Sequence, residues 1–382
     1  MRKVAQFLRG NATLLVFLAL LAGGLWALIS IPPREIGWIK KVDDVKREEL
    51  ENEARKTIIQ VVGGAFAIFA LFLTWRRVKV AEQGHITDRF TTAVEQLGKL
   101  DGDKPNFEIR LGGIYALERI ALDSPRDHWT IMEVLTAYVR RNAPAPKEAP
   151  SLASAERPKP DIQAILNVLR RRRHDTNRER DGQYLDLGET DLRWADLRGA
   201  SLKQVHLTRA YLRNASLKGA NLKSALLFEA HLEAAEFDGA HMEEAILTGA
   251  RMDWARLMGT HLQSAYLCGT NLQEADLSNT LLMRARLDQA HLWKARLQAA
   301  QIQGGHLEGA NLREAHMERA ALDGAHLEGA ILVEAHLEDA TGLTVAQVKA
   351  AYGWEQAYYS TELRKELGLP ELTPDRVGGA GG

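Results

Sequence analysis

A chain of 382 residues, 46% apolar and 26% charged, can bury the cores of two or three domains. Lysine and arginine (49) balance aspartate and glutamate (50), so the whole-chain charge gives no reason to expect nucleic-acid binding. The single cysteine, Cys268, excludes an intramolecular disulfide framework and any cysteine-based zinc site.

Two uncharged stretches, 11–31 and 57–75, are each about as long as the 20 or so apolar residues that a bilayer span needs. A signal peptide is the competing reading of the first. That run is long for a signal, however, and no clear small-x-small cleavage site precedes Pro32-Pro33. The pair therefore reads as a transmembrane hairpin within residues 1–80. In an antiparallel pair, Gly23-Gly24 and Gly63-Gly64 fall at nearly the same depth. They are candidates for close helix packing. The alternative is the general abundance of glycine in membrane helices. The loop between the spans carries as many basic residues as acidic ones, so charge alone does not orient the hairpin. With no export signal for the remaining bulk, the soluble part is assigned to the cytoplasmic side.

Residues 81–142 read as a small helical module, with helical patterns at 86–100, 107–122 and 127–142, and the pattern allows the second span to run into it unbroken. Ser124 and Pro125 are expected to start the third helix as cap and first residue. Residues 143–183 hold a proline-rich linker, a short helix capped by Asp161, and a basic cluster of Arg170, Arg171, Arg172, Arg173, Arg178 and Arg180. That cluster suits contact with an anionic surface, or simply a solvated helix end with cations at its negative terminus.

From Leu187 to Leu337 an apolar residue recurs at every fifth position without a slip; Leu192, Leu197, Leu222, Leu257, Leu262, Leu277, Leu312 and Leu327 belong to this series. From Leu192 onward a small residue, mostly alanine, stands two before each. A helix would spread a five-residue period around all its sides, and a flat strand would alternate it between faces. A corner in every pentad turns both residues back inward and closes the chain into a solenoid. Four pentads per turn give 20-residue coils and about eight coils, roughly 37 Å of rod at about 4.8 Å per coil.

Segments such as Ala195-Asp196-Leu197, Ala220-Asn221-Leu222 and Ala310-Asn311-Leu312 resemble the repeat of pentapeptide-repeat proteins. The resemblance implies a right-handed quadrilateral β-helix over 184–340. The following 341–372 resembles that family's C-terminal cap, with Tyr352, Trp354, Tyr358 and Tyr359 as candidate cap or dimer contacts, and 373–382 reads as a disordered tail. The whole plan resembles bacterial two-span membrane proteins that carry such a domain, which implies the inner membrane.

Nine of the twelve histidines directly precede a central residue, and spacing stacks His241 on His261, His306 on His326 and His316 on His336. Outward polar side chains are one reading of these pairs; a metal shared between two imidazoles is the other.

No nucleotide-binding, nucleophile-elbow or zinc-protease motif occurs, so neither an enzyme nor a cofactor is expected. The expectation is a membrane-anchored, non-enzymatic scaffold. Its partners would be the lipid bilayer and an unidentified protein, with homo-oligomerisation through the hairpin or the cap, and no specific nucleic acid. Two alternatives stand beside it: a membrane-acting defence or signalling effector, and a DNA mimic that inhibits a topoisomerase. Mimicry needs an acidic rod, and here only the distal end, 300–340, is strongly acidic.

Overall fold

The computed structural model describes residues 19, 22, 23, 26, 44–101, 104–147, 157–172 and 182–370. The chain divides into two compact units, Met1–Asp88 and Arg89–Gly382.

In the first unit, residues 19, 22, 23 and 26 are helical, and helix α1 begins at Asp44 and runs unbroken to Leu97. Within α1, Arg55–Leu97 is long and apolar enough to cross a membrane, and its most apolar window is wholly unburied. Ile59, Val61, Ile68 and Leu71 stand exposed along it. The Thr57 and Thr74 hydroxyls donate back to the carbonyls of Glu53 (3.0 Å) and Ala70 (2.8 Å), so these polar groups are satisfied within the helix. The first span otherwise lies outside the described residues, as does Gly24. At Gly23, Gly63 and Gly64 no described residue comes within 4 Å of an added Cβ.

In the second unit, the end of α1 leads through a two-residue hairpin, β1 (Leu100–Asp101) with β2 (Lys104–Pro105), into α2 (Phe107–Asp123) and α3 (Pro125–Asn142). Gly113 permits the close crossing of α1 and α2. An added Cβ there would sit 2.7 Å from the Ala93 carbonyl oxygen. Ser124 precedes α3, but its hydroxyl donates to the Asp127 carboxylate (2.6 Å) rather than capping the backbone.

Helix α4 (Pro160–Arg171) buries Ile162, Ile165, Leu166 and Leu169, and contacts both α2 and α3. Asp161 is not its cap; it lies in the first turn, fully buried. There it accepts from the Tyr138 hydroxyl (2.7 Å) and from Arg110 (3.3 Å). Removing one partner would leave the other buried groups uncompensated, so this trio ties three helices together. Burial, then the Asp161 contact, pushes the Tyr138 hydroxyl pKa upward.

The pentads form the solenoid. The residue before each central position bridges in parallel to the residue 20 later, from Asp186–His206 onward to Ala321–Thr341. Central residues and the small residues two before them are inaccessible, and they form the continuous core. Where threonine replaces alanine its hydroxyl is satisfied, as in Thr260 to the Phe237 carbonyl and Thr270 to the Leu247 carbonyl, both 2.9 Å.

The corner has one form throughout. From Leu192 onward the amide three residues after each central residue bonds back to its carbonyl, as in Ala215 to Leu212 (2.9 Å), and in the first pentad the Thr190 hydroxyl donates to the Leu187 carbonyl (2.6 Å). The second residue after it is left-handed, φ between +53° and +70°, in every pentad. This is the geometry of a type II turn. Ten of these positions are glycine and 21 are not.

Both ends of the ladder are closed by other elements. At the start, residues 143–145 pair antiparallel with the first coil: Asp191 donates to the Ala143 carbonyl and Ala145 to the Glu189 carbonyl, both 2.8 Å. The start of the proline-rich segment is thus a strand-like strap rather than free linker. At the far end, β3 (His336–Leu337) pairs with β4 (Tyr358–Tyr359). Between them lie the short helix α5 (Val345–Lys349), with a Thr344–Gln347 capping box, and a 3₁₀ turn at Trp354–Gln356. Helix α6 (Thr361–Leu367) follows.

Candidate interaction surface

Because the rod is filled, chemistry can occur only on its outer faces. Each face carries a column of side chains one coil apart. One runs Asn221, His241, His261, Leu281, and another runs Arg256, Asp276, Arg296, His316, His336, Tyr358. A groove of about 510 Å³ follows the second column, with Trp254, Lys294 and Glu314 on its flank. Its charges alternate in sign.

The Ala-Asp/Asn-Leu pattern and the left-handed turn found in every pentad decide the family. The family model for pentapeptide repeats (8 copies) matches residues 190–227, 225–263, 260–298 and 294–332. The chain belongs to the pentapeptide-repeat family. Pentapeptide-repeat proteins fold as right-handed quadrilateral β-helices.

Among solved structures, this chain is similar to HetL, a pentapeptide-repeat protein involved in heterocyst differentiation regulation from the cyanobacterium Nostoc sp. strain PCC 7120. The two are 30% identical, with 47% of this chain and 89% of that one covered and a TM-score of 0.35. It is also similar to full-length QnrB1, a plasmid-mediated fluoroquinolone resistance protein, at 16% identity, 49% and 85% coverage and a TM-score of 0.29. A pentapeptide-repeat protein from the Arabidopsis thaliana thylakoid lumen is 23% identical, with 27% and 66% covered and a TM-score of 0.19. No curated protein sequence matches the chain.

The expected core leucines, Leu192, Leu197, Leu222, Leu257, Leu262, Leu277, Leu312 and Leu327, are all buried. In this pentapeptide-repeat protein the candidate cap aromatics continue the rod. Tyr352 pairs with Ile331, although its side chain is exposed, and Tyr358 stacks on His336 at 4.6 Å. Tyr359 is buried and donates to the Trp354 carbonyl (2.8 Å). Burial pushes its hydroxyl pKa upward.

Three arginines of the basic cluster make contacts within the chain. Arg171 grips Glu118 with two bonds of 2.9 Å, Arg170 meets Asp196 at 3.2 Å, and Arg172 donates to the Ser201 carbonyl at 3.0 Å. These three serve contacts of α4 within the chain, because burying that helix brings its last turn against α2 and the first coil. Arg173, Arg178 and Arg180 lie outside the described residues. Asp196, held mainly by Arg198, has its carboxyl pulled down to about 2.

The histidine pairs stack as the spacing implies, with ring centroids at 4.5 Å (His241, His261), 4.6 Å (His306, His326) and 4.8 Å (His316, His336). Sequence reasoning missed the glutamates beside them. In four cases a glutamate two residues after the histidine lies within hydrogen-bond distance of its Nδ1: Glu243, Glu308, Glu318 and Glu338. The repeated His-x-Glu was visible in the chain, and knowing that the turn points both side chains outward would have exposed it.

Proposed function

We propose that this protein is a membrane-anchored, non-enzymatic scaffold of the bacterial inner membrane whose solenoid presents its side faces to a protein partner. The observation that carries this reading is the filled interior: the central residues and the small residues two before them are buried along the whole repeat, and other elements pair with both end coils. The exposed apolar stretch of α1 supports the anchor, since leaving about 20 apolar residues in water is costly. In this reading a hairpin of residues 11–31 and 57–75 holds the chain, the soluble part faces the cytoplasm, and self-association through hairpin or cap raises the local number of faces.

The test is membrane fractionation of the full chain and of a form lacking residues 1–80. The full chain should resist high salt and need detergent, because burial in lipid is unaffected by screening. The truncated form should be soluble with its repeats folded, as coils contact only neighbouring coils. Release of the full chain by salt alone would refute the anchor. Cross-linking in intact cells then identifies the partner. Alternating charge along the main groove argues against DNA mimicry, and a gyrase supercoiling assay checks it.

A further inference from the structure

The three histidine pairs share a spacing but not a geometry. In His306/His326 and His316/His336 the rings are nearly parallel, at 3° and 11°. Each ring there faces its own glutamate: His306 to Glu308 at 2.9 Å, His326 to Glu328 at 3.9 Å, His316 to Glu318 at 3.1 Å and His336 to Glu338 at 3.2 Å. Parallel rings send their nitrogen lone pairs in parallel, so they do not converge on one point. His241 and His261 are tilted by 54°. Both turn Nδ1 toward one atom, Glu243 Oε1, at 3.3 and 3.6 Å.

Those separations are informative. A tetrahedral zinc with bonds of about 2.0–2.2 Å sets neighbouring ligand atoms about 3.3–3.5 Å apart. The three candidate ligand atoms lie within 4.8 Å of one another, as do those of His306, Glu308 and His326 and of His316, Glu318 and His336; what distinguishes the first set is the tilt that turns both rings to one oxygen. Glu243 Oε2 is buried without a hydrogen-bond partner, as are Oε2 of Glu308, Glu318 and Glu338, so the orphaned oxygen is common to the three pairs and only the convergence of both rings on Glu243 Oε1 singles out the first. Buried oxygens left unpaired are costly, and a cation beside them removes that cost.

We propose that His241, Glu243 and His261 bind a divalent transition-metal ion, zinc fitting the two-imidazole, one-carboxylate set best. The ion joins two successive coils across the ladder. Three protein ligands leave a fourth position for water or for a side chain of the partner. The half-exposed histidines make the site reachable from solvent.

The experiment uses the full chain in detergent, without a histidine tag and stripped with chelator, titrated with Zn²⁺ by calorimetry and with Co²⁺ by visible absorption. Zinc should bind saturably, and Co²⁺ should give the intense bands of tetrahedral coordination. His241→Asn, His261→Asn and Glu243→Gln should each weaken this binding by about tenfold or more. His306→Asn and His326→Asn should leave it unchanged. Circular dichroism of each metal-free variant verifies the fold, so lost binding is not lost structure. Absence of saturable binding would overturn the proposal and leave two histidines sharing a hydrogen-bonded carboxylate. So would binding that survives the first three substitutions, or that falls equally with the last two.

Discussion

Gly305 is the glycine that stands where other pentads place alanine, threonine or valine, and Ile302 is the one isoleucine among the central residues. The two facts are one. A Cβ added at Gly305 would lie 2.8 Å from Ile302 Cγ2 and 3.0 Å from the Ile302 carbonyl oxygen. Carbon pairs prefer about 3.5–4.0 Å, so the methyl intrudes by the better part of an ångström. Ile302 is fully buried, and its carbonyl is fixed by the turn bond from the Gly305 amide (2.9 Å), so neither can yield freely. Overpacking of this kind costs about 1–3 kcal/mol. Gly→Ala recovers about 0.4–1 kcal/mol through the unfolded chain. Gly305→Ala should therefore destabilise by about 1–2 kcal/mol, a fall of several degrees in the melting midpoint followed by circular dichroism. Ile302→Leu removes the β-branch and restores the pattern of neighbouring coils. The double variant should regain most of the loss, giving a coupling energy of about 1 kcal/mol or more in the cycle. A single Gly305→Ala variant as stable as wild type would refute the argument, as would strict additivity of the two changes.

Leu257→Asp places an unpaired charge at a fully inaccessible mid-rod position and should cost at least about 4–5 kcal/mol, enough to abolish the cooperative melt; a near-native melt would contradict the inward assignment. His306→Asn changes a partly exposed ring and should shift the midpoint by no more than the range of ordinary surface substitutions, about 0.5 kcal/mol. The Glu338 contact raises the His336 pKa in the fold, so its stabilisation is fully present below the unfolded value, about 6.5, and fades as pH rises through the folded one. The melting gap between wild type and His336→Asn should accordingly be wider at pH 6 than at pH 8.5, and an equal or reversed gap would remove the linkage. Asp196, with its carboxyl lowered to about 2, should stabilise above about pH 3.9 and lose that contribution as pH falls toward 2, read from the acid limb of Asp196→Asn against wild type.

The rod was legible because its period excludes helix and flat strand together, leaving a corner in every pentad. The corner's conformation was not legible. Of the 21 non-glycine left-handed positions only Asn214, Asn279 and Asp339 are of a type that favours that region; the other 18, such as Trp194, Arg209 and Glu314, carry no local preference for it. Coil-to-coil hydrogen bonding imposes it, as in Trp194 to the Arg213 carbonyl (3.0 Å), so the tertiary ladder overrides propensity. The same holds for Asp161, whose place near the start of a helical pattern reads as a cap. Burial against Arg110 and Tyr138 depends on partners 51 and 23 residues away, and spacing carries no trace of that. The tilt that separates His241/His261 from the other pairs is a side-chain matter, and no sequence period encodes it.

The covered ends determine where recognition can occur. A ladder of parallel bridges leaves unpaired amides and carbonyls at its first and last coils, and such edges recruit other strands. Here the missing coil before the first is replaced piece by piece. The Gln163 side chain accepts from the Asp196 amide (3.1 Å) and donates to the Asp196 carbonyl (3.0 Å), reproducing the donor and acceptor of the absent peptide. Arg172 supplies a donor to the Ser201 carbonyl on the next face, and residues 143–145 supply a strand on the one before. At the far end, Gln347 donates to the Ala325 carbonyl (2.8 Å) while Tyr352 and Tyr358 take up the backbone of the last coil. End-to-end growth would have to displace these contacts. In the proposed reading a partner would be read by side-chain columns along the rod, where successive coils repeat a position and the residue placed there varies.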